Sequence, residues 1–388
     1  MDDAKSADST AERNNSLSPR DRAAAGKALR KRVPRALQGH WRPVGTRRDV
    51  LSILRTSDAD RLPELLPIRY GRMLPSPFAF FRGSAALMVA DLAQMPNTSI
   101  IVQACGDCHL MNFGGFASPE RNLVFDINDF DETLPGPWEW DVKRLATSFI
   151  LAVRENRLSK SVARRAALKC VRSYREAIRA LASLDPLDLW YKRFDIDTLL
   201  RLAPSRGDRA RLERRIKKAT AASGSNLEFP KLGEVVHGVA RIHDAPPLIF
   251  HPEPEEADDF RAISDEALKS YRASLADDRK RLLDRYRYID AAIKVTGIGN
   301  VGRRSWVALL MSPADNPLFL QFRQANDSVL EPYAGKSCYG SSRAACCEWA
   351  APHASNFGHI SWLDDKPSRR ILRPPAARRQ AEPDDRDD

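Results

Sequence analysis

The sequence predicts a two-lobed α+β protein, a mostly helical body followed by a short antiparallel β-meander. Three observations carry that reading. Through much of residues 20–290, apolar positions recur three and four apart, the period of amphipathic helices. From Ala291 onward, three β-branched or aromatic runs (291–296, 305–311 and 318–323) are separated by Gly-rich and Pro/Asp/Asn turns, as in consecutive hairpins. The chain has 388 residues, 43% hydrophobic and 29% charged. That is ordinary globular composition, long enough to bury a sizeable core without disulfide staples.

The elements follow in order. Residues 1–20 are polar and read as a disordered tail. Residues 20–66 read as short helices, for example Asp49-Val-Leu-Ser-Ile-Leu and Arg61-Leu-Pro-Glu-Leu-Leu. A helix is expected over 78–93, after the stop signal Pro75-Ser-Pro77. The β-branched run 99–105 reads as a short buried strand and 123–125 as another. Residues 141–182 read as one or two long helices. Residues 186–204 and 221–256 read as loop-rich, with five prolines between Pro230 and Pro254. Residues 266–292 read as helix, with charges along one face. The domain division that results is a tail over 1–20, a helical lobe over 21–290, a Gly-rich meander over 291–343, and a tail over 344–388.

Net charge is +11, and residues 1–48 hold twelve Lys/Arg against five Asp/Glu. A second basic cluster is 205–218, SRGDRARLERRIKK. Such an excess suits a polyanionic partner or a solvated surface. No aromatic residue interleaves the second cluster, so a solvated helix face is favoured over a nucleic-acid platform. The longest apolar runs, 149–153 and 306–311, fall far short of the roughly 18 residues of a membrane span. The polar start has no signal-peptide core, and six cysteines form no disulfide framework. A cytoplasmic location is expected.

The densest chemistry lies in Val102-Gln-Ala-Cys-Gly-Asp-Cys-His-Leu-Met-Asn-Phe-Gly and Leu123-Val-Phe-Asp-Ile-Asn-Asp-Phe-Asp-Glu. A strand leads into Asp107, Asn112 follows five residues later, and a second strand ends on Asp126. Kinase-type phosphoryl transfer uses this set: a positioning carboxylate, an Asn on a metal ion, and an Asp bridging Mg²⁺ to the phosphates. Asp107 and Asn112 could equally cap turns, and Asp129 and Asp131 stand as replacements for Asp126. Cys105-Gly-Asp-Cys108-His109 also spells the haem-attachment pattern. Such haem is fitted outside the cytoplasm, however, and Cys346-Cys347 makes a poor partner pair for zinc. Cys105 and Cys108 therefore read as buried small thiols, and His237 and His243 as structural histidines.

Gly297-Ile-Gly-Asn-Val-Gly302 is a G-x-G-x-x-G motif. It is followed by the strand-like Ser305-Trp-Val-Ala-Leu-Leu, where a dinucleotide fold would open a helix. A glycine loop between two strands is the kinase form, covering ATP phosphates from above, although a plain hairpin has the same signature. Arg323, on the third run, stands where a kinase places its phosphate-contacting Lys.

Several motifs together resemble the bacterial domain of unknown function 2252 family. They are Arg69-Tyr-Gly-Arg-Met, Ser76-Pro-Phe-Ala-Phe-Phe-Arg-Gly, Cys105-Gly-Asp-Cys-His-Leu-Met-Asn-Phe-Gly, Phe125-Asp-Ile-Asn-Asp-Phe-Asp-Glu, Pro135-Gly-Pro-Trp-Glu-Trp-Asp and Lys143-Arg-Leu-Ala. The resemblance runs from about residue 20 to 343. The family in turn resembles the protein-kinase-like fold near the aminoglycoside phosphotransferases. This implies Asp107 as the catalytic residue, Asn112 and Asp126 on metal, and Gly297, Gly299 and Gly302 as the phosphate loop. It also implies ATP and Mg²⁺ as cofactors, with an acceptor it does not name. The catalytic-type loop precedes the glycine loop, so the resemblance requires a circularly permuted fold, or one of the two assignments fails.

Three departures bear on activity. The family's Ala is Cys108 here. Its L-Q-x-K-E-A is Leu320-Gln-Phe-Arg323-Gln324-Ala325, and the forked guanidinium is not an equivalent phosphate contact. The third lies beyond residue 343, where the family reads something like Q-R-V-V-x-G-Q-R-L-M-Q-x-x-S-D-x-F-L-G-W. Residues 344–362 here, AACCEWAAPHASNFGHISW, admit a codon choice that reads Q-R-V-V-N-G-Q-R-L-M-Q-A-T-S-D-I-F-L one base later. Residues 344–388 thus read as a frameshifted tail, which leaves the small lobe incomplete, with an open sheet face and an exposed edge. The expected function is a kinase-like phosphotransferase scaffold, impaired in this copy. The alternative is a non-catalytic nucleotide- or polyanion-binding protein using its basic N-terminal arm.

Overall fold

The computed structural model describes residues 17–43, 47–118, 122–221, 232–295, 297–324, 326–337 and 359–362. The N-terminal tail through residue 16 and most of the 344–388 tail lie outside them. The chain forms a mixed α+β structure with small sheets, in two units. One takes the described residues of Met1–Asp60, Ile68–Ile216 and Ala325–Phe357. The other takes those of Arg61–Pro67, Lys217–Gln324 and Gly358–Asp388.

The first unit begins with α1 (Pro19–Arg32), where Ser18 accepts from the Asp21 amide and Pro19 starts the first turn. Asp49 caps α2 (Val50–Asp58) in the same way. After α3 (Leu66–Met73), the expected single helix over 78–93 is two. These are α4 (Pro77–Gly83), capped by Ser76, and α5 (Ala85–Leu92). Ser84, at φ −126° and ψ 42°, breaks the run. Strands β1 (Ile101–Ala104), β2 (Phe113–Ala117), β3 (Leu123–Ile127) and β4 (Leu134–Pro137) form two antiparallel pairs, β1 with β4 and β2 with β3. The expected buried first strand is half out of the core: Ile101 is 54% and Val102 39% exposed, and only Ala104 is fully buried.

Two long helices follow, α6 (Trp138–Glu155) and α7 (Lys160–Leu181), the latter capped by Ser159. Residues 186–204, expected as loop, contain α8 (Pro186–Trp190) and α9 (Ile196–Arg201). Both are single short helices begun by Asp caps. Helix α10 (Arg206–Ala221) carries the second basic cluster. The core of this unit joins Val89, Leu92, Ala104, Leu134, Trp140 and Leu330.

In the second unit the loop-rich reading of 221–256 gives way, among the described residues, to β5 (Gly233–Val236), β6 (Val239–Ile242) and β7 (Ile249–Phe250). The helical reading of 266–292 is corrected likewise. Helices α11 (Pro254–Ser274) and α12 (Asp277–Leu283) end before β8 (Arg287–Lys294). The meander itself is as expected, β8 pairing antiparallel with β9 (Ser305–Met311) and β9 with β10 (Pro317–Gln324). After α13 (Glu331–Ala334), which belongs to the first unit, comes β11 (His359–Trp362).

All seven residues of β9 are buried, so both of its faces are covered. On one face Trp306 stacks on Phe322 and meets Phe260 of α11 edge-on. On the other, Val307, Leu309 and Met311 cluster with Ile242 of the β5–β6 hairpin. The open sheet face expected from the altered tail is therefore absent among the described residues. The outer edge of β10 is paired in parallel by β11.

His251 ties the β5–β6 hairpin to this sheet. Its backbone N–H and Nδ1 lie 2.9 and 2.8 Å from Asp244 Oδ1, and its Nε2 lies 3.1 Å from Asp290 Oδ2. Asp290 also accepts from the Ile242 amide at 2.7 Å, and Arg241 donates to Asp244 at 2.8 Å.

Candidate active site

The turn after β1 is shaped by what surrounds it. Gly106 has φ +82°, and a Cβ there would lie 2.2 Å from the Glu132 carbonyl oxygen, so no side chain fits. Gly106→Ala is expected to destabilise the first unit by about 2–4 kcal/mol. A urea melt of the variant matching that of the parent would show that the turn relaxes freely.

Asp141, in the first turn of α6, accepts the Cys105 and Gly106 amides at 2.7 and 3.1 Å. Burial pushes its carboxyl above the usual range even though those two N–H groups pull it down. One helical turn on, Arg144 is 1% exposed. Its Nε donates to Asp107 Oδ1 at 2.7 Å, with its Nη2 also on that oxygen. Nη2 donates as well to the Phe81 carbonyl at 2.9 Å, and the guanidinium lies 4.2 Å from the Phe81 ring centroid. Helix α6 thus holds both the backbone and the carboxylate of the turn.

Asn112 ends a 3₁₀ turn, Leu110–Asn112. Its Nδ2 donates to the Asp107 carbonyl at 2.7 Å, and its own carbonyl accepts from Asn128 at 2.9 Å. Ser148 of α6 secures the turn by accepting the Leu110 amide at 3.0 Å. His109 is buried, with Nε2 3.7 Å from Asp107 Oδ2. Burial, followed by the charges of Arg144 and Arg82, pushes the imidazole down to about 3. It is therefore neutral at physiological pH, and its approach to Asp107 is not an ion pair.

The structure brings Asp107 and Asn112 together, as expected. Asp126 is on β3, opposite Gly114, exposed, with Oδ1 accepting from its neighbour Ile127 at 2.8 Å. It makes no hydrogen bond to Asp107 or Asn112. Asp129 accepts the Asp131 amide at 3.3 Å, and the Asp129 carbonyl accepts the Cys105 thiol at 3.5 Å. Among the described residues no group of three or more His, Cys, Asp or Glu side chains is placed to hold a metal ion. The Asn112 amide oxygen and the Asp126 carboxylate would be a sparse set for a hard cation, suiting Mg²⁺ only with phosphate and water to complete it, and no hydrogen bond joins the two among the described residues. Cys105 and Cys108 are buried thiols. The hydrogen bond with Cys108 and then burial push Cys105 well up, the state of an inert thiol.

In the second unit, Gly297–Gly302 lies between β8 and β9, as the motif predicts. Two of its amides, Asn300 and Val301, donate back to the Gly297 carbonyl at 2.9 and 3.1 Å. Gly302 has φ +88°, its carbonyl accepts the Leu62 amide at 2.8 Å, and a Cβ there would lie 3.0 Å from the Arg61 Cβ. Gly299 lies in the same turn. Arg323 faces Ser305 across β10–β9, at the end of the sheet where the loop closes, and the adjacent Gln324 amide donates to the Arg304 carbonyl at 2.8 Å. Gly297, Gly299, Gly302 and Arg323 thus share one end of one sheet.

Sequence reasoning missed Asp141 and Arg144, which lie 35 to 37 positions beyond the residues they hold. Their motifs, Trp138-Glu-Trp-Asp and Lys143-Arg, were visible as strings but carried no sign of a partner.

These features define a mixed α+β protein with a clamped Asp–Asn turn in one unit and a glycine hairpin loop in the other. The chain belongs to the DUF2252 family, described as uncharacterized protein conserved in bacteria, whose family model matches residues 61–345. No curated protein and no solved structure matches it. Among the described residues no helix is long and apolar enough to cross a membrane.

Proposed function

We propose that the chain is a kinase-like phosphotransferase scaffold, using ATP and Mg²⁺ to phosphorylate the hydroxyl of an acceptor. The observation that supports it is the turn carrying Asp107 and Asn112, joined at 2.7 Å and clamped from α6 by Asp141 and Arg144. A carboxylate fixed by a buried guanidinium has the pre-set position that orienting a hydroxyl demands. In this reading Asp107 orients the acceptor, Asn112 and Asp126 hold Mg²⁺, and Gly297, Gly299, Gly302 and Arg323 contact the nucleotide phosphates. Bound Mg²⁺ would neutralise the charge that develops on the transferred phosphoryl group. Arg323, Gln324 and the altered tail lower activity in this copy.

The test is a thermal-shift titration with Mg²⁺–ATP on this chain and on a frame-repaired chain. At a hundredfold excess over Kd the repaired chain should gain about 2.7 kcal/mol, and Asp126→Ala should abolish the gain. No response from either chain would sink the proposal.

The second reading, a polyanion-binding protein, is favoured by α1. That helix buries none of its residues and presents Arg20, Arg22, Lys27, Arg30, Lys31 and Arg32. Under this reading nucleic-acid affinity falls steeply with salt, and Mg²⁺–ATP gives no shift.

A further inference from the structure

The positive charge of the chain is concentrated on one stretch of the first unit. Residues 160–216, from the start of α7 into α10, hold fifteen Lys/Arg against seven Asp/Glu, a surplus of eight in a chain of net +11. Seven of those cations lie on α7. Of these, only Arg175 has an ion-pair partner among the described residues, Glu176 at 3.9 Å. One side of α7 packs on α6: Ala163 is buried, and Tyr174 stacks on Trp138 with ring centroids 5.8 Å apart. Arg164, Leu168, Val171, Arg175 and Ile178 are spaced alternately four and three apart, which makes them one stripe along the helix. All five are exposed.

The segment that follows continues the pattern. Every residue from Ala182 to Asp195 is exposed. Leu187 and Trp190 of α8 and the adjoining Tyr191 are 65%, 82% and 64% exposed, and Lys192 and Arg193 come next in the chain. The acids Asp185 and Asp188 belong to the start of α8, where Asp185 accepts the Leu187 and Asp188 amides at 2.9 and 3.0 Å. Protein surfaces rarely leave so many apolar side chains uncovered without a partner for them. Cations alone would suit any polyanion. Leu168, Val171, Ile178 and Leu187, however, have no π-face to stack on a base, as a nucleic-acid surface requires. Aliphatic side chains beside arginine stems are what the boundary of a bilayer accommodates. Trp190 and Tyr191 have the amphipathic rings that settle at headgroup depth.

We propose that the exposed stripe of α7 and the segment 182–195 dock this protein on an anionic lipid bilayer. The arginines meet the headgroup phosphates, and Leu187, Trp190 and Tyr191 enter the boundary between headgroups and acyl chains. The docking is peripheral and needs no spanning helix, and among the described residues there is none. It does not depend on the phosphotransferase reading, and it uses a different surface from α1.

The experiment is co-sedimentation of the full chain with vesicles of phosphatidylcholine alone and of phosphatidylcholine mixed equally with phosphatidylglycerol. Two variants are compared with the parent, Leu187→Ser with Trp190→Ser, and Arg164→Gln with Arg175→Gln, each with α1 intact. The expected result is that the parent binds the anionic vesicles and is released by high salt. Binding to phosphatidylcholine alone, and binding by each variant, should be weaker by about tenfold or more. No binding by the parent, or equal binding to the two kinds of vesicle, overturns the proposal. So does binding that either variant leaves unchanged, since another surface would then carry it. The parent and the Leu187→Ser, Trp190→Ser chain are also tested on a single-stranded oligonucleotide and by sedimentation velocity. Oligonucleotide binding or self-association that the substitutions abolish, without vesicle binding, would assign the surface to nucleic acid or to a second copy and overturn the proposal as well. If a variant does not fold, brominated lipid decides: tryptophan quenching in the parent that falls in Trp190→Phe supports the docking, and equal quenching refutes it.

Discussion

Replacing Arg144 by Met should cost the first unit about 3–5 kcal/mol, the penalty for breaking a buried ion pair from one side. Met fills a similar length, so the loss is one of charge and hydrogen bonding. The substitution strips Asp107 of its guanidinium clamp and leaves the Phe81 carbonyl only its long bonds from the Ser84 amide and hydroxyl, at 3.3 and 3.4 Å. The measurement is hydrogen exchange of peptides from 101–117 together with a denaturant melt. The chain has two units, so a single two-state fit would misreport the loss. The discriminating variant is Asp107→Ala added to Arg144→Met. With no carboxylate left to strand, the second substitution should cost at least 1–2 kcal/mol less than it does in the parent, a coupling typical of contacting residues. Additive costs would show that the pair does not act as a unit.

The second large effect is on pH dependence in the second unit. Burial by itself lowers His251, but the hydrogen bonds and charges of Asp290 and Asp244 more than reverse this, and its value lies above the ordinary 6.5. Asp290 is pushed up by burial, yet the bond to His251 and the Ile242 amide carry it below 3.8. Both ring nitrogens face carboxylates, and although Arg241 Nη2 lies 3.1 Å from Nδ1 as well as on Asp244, the two carboxylates outweigh it and favour the imidazolium. The His251 contribution is fully present below 6.5 and is lost as pH rises through its raised value. The Asp290 contribution is present above 3.8 and is lost as pH falls through its lowered value. Stability of this unit should therefore peak in mildly acidic solution and decline toward alkaline pH. His251→Asn should cost about 2–4 kcal/mol at pH 6 and flatten the alkaline limb. An unchanged limb in that variant would assign it to another group.

Much of the meander was legible because its cues are local. The runs 305–311 and 318–323 combine β-branched and aromatic residues with flanking turn residues, and β9 and β10 form there. The same kind of local pattern failed at 266–292. Charges on one face continue past Leu283, yet Arg287–Lys294 is a strand, since pairing with β9 overrides helical propensity. At the site, spacing found Asp107 and Asn112 because five residues of one turn carry both. It could not find Asp141 or Arg144, whose roles depend on contacts 35 to 37 positions away. Nor could it find His251, whose two carboxylates come from separate elements, whereas His243, one of the two histidines singled out, has the single carboxylate of Glu234 at 3.7 Å. For Asp126 the local cue was a strand end, which by itself carries no information about proximity to Asn112.

The core of the first unit has a consequence for how the chain is made. Leu330 belongs to the cluster of Val89, Leu92, Leu134 and Trp140, and Ser328 and Val329 both bond to Glu132, at 2.7 and 2.8 Å. These late residues reach the ribosome's exit only after the whole of 217–324, which belongs to the other unit, has been synthesised. The usual order, in which the N-terminal body completes its folding first, is therefore closed to this protein. Its first 216 residues must wait with an apolar face uncovered until the returning segment arrives. A fragment cut at Ile216 should be a client for chaperones, and the second unit in turn draws its edge strand β11 from beyond that returning segment.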